Sequence, residues 1–172
     1  ESTESSNRLE GIVAAPGRVR DLVVHHTQPR DRSEQEIAGY RDALQLIHES
    51  HADMRFTANV VLQLHSMLYR YQPGSGGRWK SADNEIVERD GAGDVVRVRF
   101  TPTSAVSTPQ AMADLFTHYE GAIVGHIAEP LVALPLAVLD FLCIHPFTDG
   151  NGRVARLLSL LLLYHFGYHV GR

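Results

Sequence analysis

His145-Pro-Phe-Thr-Asp-Gly-Asn-Gly-Arg153 (HPFTDGNGR) breaks the most apolar part of this 172-residue chain. It separates PLVALPLAVLDFLCI (Pro130 to Ile144) from LLSLLLLYHF (Leu157 to Phe166). Each flank reads as a buried helix, and each is shorter than the ~20 apolar residues of a membrane span. Pro146 directs His145 into extended backbone, and Phe147 anchors the loop in the core. The DGNG turn resists helix and aims successive backbone N–H groups into a concavity that suits an anion. The helix opening near Gly152 adds its positive dipole end. Arg153 and Arg156, three apart, share neighbouring parts of one face. Together these features make a polyphosphate cradle. Asp149 beside a phosphate calls for a hard cation such as Mg²⁺. His145 supplies a group that takes a proton near neutral pH. A base, a metal ligand and a phosphate cradle in nine residues predict nucleotidyl or phosphoryl transfer.

Outward from the loop, the sequence predicts a mainly α domain with one small hairpin. A helix is expected from about Ser33, with Ser33 and Glu36 as a capping box and Ile37, Tyr40, Ala43, Leu44 and Ile47 as its apolar stripe. A second is capped by Thr57 and carries Val60, Val61, Leu64, Met67 and Leu68. Ile86 and Val87, a turn over Asp90 to Asp94, and alternating Val96, Val98 and Phe100 give the hairpin. Helix resumes at Thr108 with Pro109 in its first turn. The next runs from Leu131 to Ile144, where Pro135 marks either a kink or the true start. The last spans about Gly152 to Phe166 and stops at Gly167.

Composition sets bounds. A formal charge of −4 argues against a general nucleic-acid or membrane-surface binder. The single cysteine, Cys143, excludes an intrachain disulfide framework and points to a reducing, cytoplasmic setting. Its place in an apolar run predicts a packed side chain. The polar opening ESTESSNRLEG does not read as a signal peptide. With no starting Met and an end directly after a helix, the chain is expected to be a piece of a longer protein. The spaced histidines His48/His51 and His165/His169 lack the companions of a zinc site and read as packed or solvated.

HPFTDGNGR followed by Arg156 resembles the signature of Fic domains, His-Pro-Phe-x-Asp/Glu-Gly-Asn-Gly-Arg-x-x-Arg, at every defined position. The resemblance covers nearly the whole chain, residues 1–172, and implies the helical Fic fold with a motif loop at 145–153 and a flap hairpin at about 84–100. It also implies AMPylation, the transfer of AMP from ATP to a Ser, Thr or Tyr hydroxyl of a protein, with release of pyrophosphate. By the same resemblance His145 is the general base and Asp149 the Mg²⁺ ligand. Gly150, Asn151 and Gly152 form the anion turn, with Asn151 on the α-phosphate. Arg153 is the β-phosphate contact and Arg156 the γ-phosphate contact. Members that phosphorylate, such as the Doc toxins, carry Lys where Gly152 stands. Ile86 on the flap is the candidate clamp for the target side chain. The segment GRWK, Gly77 to Lys80, stands where many relatives have Gly-x-x-Arg, and Lys80 is left outside the site because it departs from that pattern.

Near the start, SNRLEG (Ser6 to Gly11) resembles the family's inhibitory motif, Ser/Thr-x-x-x-Glu-Gly/Asn, on a helix at about residues 3–11. The implied contact is Glu10 on Arg156, which takes the γ-phosphate's place and leaves ATP a misaligned pose. Glu10 also leaves de-AMPylation at the same site open, with a non-catalytic ATP-binding module as the further alternative. The resemblance implies a protein substrate as partner; relatives often dimerise, which leaves a homodimer open beside it. The target is not legible, since flap pairing reads backbone.

Overall fold

The computed structural model describes residues 2–72 and 74–168. Their elements run α1 (Ser2–Leu9), α2 (Pro16–Val24), α3 (Arg32–Ser50), a 3₁₀ turn (His51–Asp53), α4 (Ala58–Leu68), β1 (Ile86–Arg89), β2 (Val95–Phe100), α5 (Thr108–Val124), α6 (Pro130–Ile144) and α7 (Asn151–His165). The mainly helical fold with one antiparallel hairpin is as the sequence predicts. Two compact units divide the chain, one from residues 1–78 and 152–172, the other from 79–151.

In the first unit α3 is the central element, touched by α1, α2 and α4. It is not capped by Ser33. Asp31 is the N-cap, in extended backbone, and its carboxylate accepts the Glu34 N–H at 2.9 Å. An aspartate two residues upstream outcompetes the serine because it brings charge to the positive end of the helix. That leaves Glu36 for another task. Ile37, Tyr40, Ala43 and Ile47 are buried as the stripe predicts, with Leu44 half-buried. Gly39 lets α4 come close: a Cβ there would lie 2.7 Å from the Leu68 carbonyl carbon and 2.8 Å from the Met67 oxygen. Thr57 does precede α4, but its side chain makes no capping bond.

Helix α2 was not expected, because nine residues with one short apolar run are a weak signal. Pro16 opens it, and Val19 and Leu22 form a small core with Ile37. Each such side chain contributes roughly 1.5–3 kcal/mol on burial. α7 buries Val154, Leu157, Leu158, Leu161 and Leu162, a regular helical stripe. It ends at Gly167, φ 75°, with the Tyr168 N–H on the Leu163 carbonyl.

In the second unit α5 and α6 pack together. α6 begins at Pro130, and Pro135 lies inside it, so the alternative of Pro135 as the start is excluded. Expected to be buried all round, α6 instead leaves Leu131, Val132, Leu136 and Leu139 more than half exposed. Cys143 is exposed too, against the packed side chain expected from its apolar neighbours. A helix rich in apolar residues on every face gives no periodic signal of which face turns outward. Every residue of β2 is exposed, so the hairpin covers no core. A turn built on Asp90, whose carboxylate accepts the Ala92 and Asp94 N–H groups, and Glu88 between Arg97 and Arg99 hold it. Among the described residues, no helix is long and apolar enough to cross a membrane.

Candidate active site

The motif loop begins at the end of α6. His145 is the C-cap, at φ 52° and ψ 61°, left-handed rather than extended. Two local rules compete here. Proline disfavours helical backbone before it, and a helix end favours one left-handed residue. The helix end wins, and His145 occupies a position that glycine usually fills, at a cost of order 1–3 kcal/mol. Its N–H still donates to the Phe141 carbonyl at 2.9 Å. Its Nδ1 lies 3.4 Å from the Leu142 carbonyl oxygen, which favours the proton on Nδ1 and leaves Nε2 as the basic nitrogen.

Phe147 is fully buried, its ring 5.3 Å from Trp79 and 6.2 Å from Phe141. Asn151 closes the loop on it. The side-chain Oδ1 accepts the Phe147 N–H at 2.9 Å and Nδ2 donates to the Phe147 carbonyl at 2.8 Å. One N–H of the Asn151 amide is spent on this closure; the second, and its backbone N–H, are the donors left to meet an anion. Gly150 turns the chain at φ 82°, and Asp149 faces outward with its Oδ1 accepting the Gly150 N–H at 2.7 Å.

Lys80 and Asn84 brace this loop from the segment before the hairpin. The Lys80 N–H donates to the Pro146 carbonyl at 2.8 Å. Its ammonium donates to Asn84 Oδ1 at 2.8 Å and to the Ile144 carbonyl at 3.2 Å. Asn84 Nδ2 donates to the Phe147 carbonyl at 3.2 Å. Burial lowers the Lys80 pKa, against the opposing pull of Asp83.

Gly152, Arg153 and Arg156 belong to the first unit. Arg153 is buried, with 1% of its surface exposed. It donates to Glu36 Oε2 at 2.7 Å and to the Tyr69 hydroxyl at 2.9 Å, and its guanidinium lies 5.4 Å from the Tyr69 ring. Arg156 faces α1. Its Nη2 donates to Glu10 Oε1 at 2.8 Å and to the Ser6 carbonyl at 2.9 Å, and its Nε to Ser6 Oγ at 2.6 Å. Glu10 lies in the turn after α1, which ends at Leu9 rather than at residue 11. Gly11, φ 74°, makes that turn. Glu10 Oε1 sits so close over Gly152 that a Cβ there would collide with it.

The Fic/DOC family model matches residues 55–163, well over half of the chain. This protein belongs to that family. It is 34% identical over 70 residues to protein adenylyltransferase fic-1 of Caenorhabditis elegans, a match that covers 41% of this chain and 14% of that protein. The crystal structure of a Fic domain-containing signaling protein from Bacteroides thetaiotaomicron superposes with a TM-score of 0.79 at 27% identity, over 95% of this chain and 61% of that one. A Fic family protein from Desulfovibrio desulfuricans shares the fold, with a TM-score of 0.73 at 24% identity, over 95% of this chain and 47% of that one. The chain thus spans less than two thirds of these relatives.

Within the Fic domain the motif residues fall on two units. His145, Asp149, Gly150 and Asn151 lie in one; Gly152, Arg153, Arg156 and Glu10 lie in the other. Ile86 opens β1 opposite Phe100, 38% exposed. His169 lies outside the described residues. Among those described, no three His, Cys, Asp or Glu side chains gather as a metal cage. An exposed carboxylate such as Asp149 nonetheless fits Mg²⁺, which takes one or two carboxylates and completes its shell with phosphate and water. Sequence reasoning missed Glu36, Tyr69, Lys80 and Asn84. For Glu36 a signal was present: it stands four residues before Tyr40, on the buried stripe, where a carboxylate needs a partner.

Proposed function

We propose that this Fic domain transfers AMP from ATP to a hydroxyl of a protein and is held back by Glu10. The observation that carries the reading is the ion pair of Glu10 with Arg156, the second arginine of an intact motif. His145, with Nε2 as its basic nitrogen, takes the proton of the incoming hydroxyl. The hydroxyl oxygen attacks the α-phosphorus, and pyrophosphate leaves. The N–H groups of the first turn of α7, which the helix cannot satisfy itself, receive phosphate oxygens. Asp149 would hold Mg²⁺, which when bound neutralises phosphate charge. Arg156 takes the γ-phosphate once Glu10 has left. Arg153 is the β-phosphate contact of the motif, its guanidinium oriented by Glu36 and Tyr69. The hairpin, with β2 exposed along its whole length and Ile86 at its edge, offers backbone to an extended segment of the target. An exposed Cys143 suits a reducing cytoplasm.

The test is incubation of wild type, Glu10→Gly and His145→Ala with α-labelled ATP and lysate. Label on protein should rise with Glu10→Gly and vanish with His145→Ala in that background. Label unchanged by Glu10→Gly, in folded protein, refutes the brake; label that survives His145→Ala refutes the base.

A further inference from the structure

We infer that Lys80 and Asn84 form a clamp that fixes the backbone of His145, making Lys80 a positioning residue for the proposed transfer. The inference rests on that reading for its kinetic readout and on geometry alone for its spectroscopic one.

The segment from Trp79 to Asn84 engages the motif loop on both sides of the histidine. The Lys80 ammonium takes the carbonyl of Ile144, the residue before it. The Lys80 N–H takes the carbonyl of Pro146, the residue after it. Asn84 takes the carbonyl of Phe147, and Trp79 packs against the Phe147 ring at a tilt of 30°. His145 sits between these fixed points in left-handed backbone. A side chain held in that region persists only where its surroundings over-determine it. Without the clamp, the preference of a residue before proline for extended backbone pulls the imidazole elsewhere.

A cation suits the Ile144 carbonyl for a second reason. That group is among the last four of α6, where the helix has no donor left and its dipole is negative. Lys80 as a residue is 5% exposed, so the attraction of its ammonium to carbonyl oxygens is little screened. Asn84 completes the arrangement: it accepts from the ammonium and donates to Phe147, coupling the two ends of the clamp. Their contacts go to the loop's carbonyls and to the Phe147 ring, and they determine where the base sits.

The experiment compares Lys80, Lys80→Met, Lys80→Arg and Asn84→Ala in the Glu10→Gly background. The His145 imidazole resonance is assigned by its loss in His145→Ala. Lys80→Met should lower kcat by about 10- to 100-fold, the scale of a small misplacement of a catalytic group. The KM for ATP should stay within about threefold, because the phosphate contacts lie elsewhere. The His145 resonance should shift while other histidines hold still. Lys80→Arg should restore both, and Asn84→Ala should reproduce the shift in weaker form. An unmoved His145 resonance in both Lys80→Met and Asn84→Ala overturns the clamp, as does a loss carried by KM alone. If Glu10→Gly shows no transfer at all, the proposed function fails, and the resonance still decides the clamp. Should Lys80→Met not fold, Asn84→Ala carries the same two readouts.

Discussion

Replacing Glu10 by Gln separates charge from shape in the contact with Arg156. Glutamine keeps the chain length and an oxygen that accepts from the Arg156 Nη2, so only the ionic part is lost. A hydrogen bond to a charged group contributes roughly 1.5–3 kcal/mol when shielded. Here the side chains are 32% and 31% exposed. Solvent therefore discounts the pair to about 1 kcal/mol. If the closed arrangement dominates, activity follows the open fraction, and about 1 kcal/mol raises it roughly fivefold. Glu10→Gly removes the acceptor as well and leaves the two Ser6 contacts, so its gain should lie above that of Gln, toward about 30-fold.

The assay is initial-rate incorporation of AMP at fixed ATP, read at ~0.1 M and ~1 M salt, where the Debye length falls from ~10 to ~3 Å. Salt also weakens ATP binding, so the informative quantity is the ratio of Glu10→Gly to wild type. That ratio should shrink at high salt, because screening loosens the wild-type pair and leaves nothing to loosen in the variant. The order should be wild type, then Gln, then Gly. Equal rates for wild type and Gln, with a ratio indifferent to salt, would refute the electrostatic account of the brake.

Two further outcomes follow from neighbouring contacts. Gly152→Ala places a Cβ against Glu10 Oε1; the flexible carboxylate should yield, the Arg156 pair should break, and transfer should rise with Glu10 still present, which the same labelling assay reads. Glu34 accepts two bonds from Arg18 and one from the Arg30 N–H, and these hold its pKa at about 2, below the usual 4.5. Since the folded value is the depressed one, its stabilisation is complete above the unfolded value near 4.5 and fades as pH falls through about 2. Glu34→Gln should lower Tm at neutral pH and flatten the Tm profile across that acid window, as scanning calorimetry would record.

The motif was legible because it is local. His145, Asp149, Gly150 and the two arginines lie within a dozen residues, and their chemistry needs no knowledge of the rest of the chain. The same holds for the helices whose apolar stripes repeat, such as α3 and α7. What stayed hidden depends on contacts far apart in sequence. Glu36 looked like a capping residue until Arg153, more than a hundred positions away, was found to hold it. Lys80 looked like a departure from a pattern, yet its ammonium reaches Ile144 across the second unit. The left-handed backbone of His145 was hidden for a different reason: Pro146 and the end of α6 make opposite demands on one residue, and only tertiary contacts decide between them. The conflict falls on the residue that the proposed transfer uses as its base. Regular folding would have put glycine at the helix end, and the proposed transfer requires an imidazole there. The bonds from Lys80 and Asn84 to the carbonyls around it are how the fold accommodates that exception.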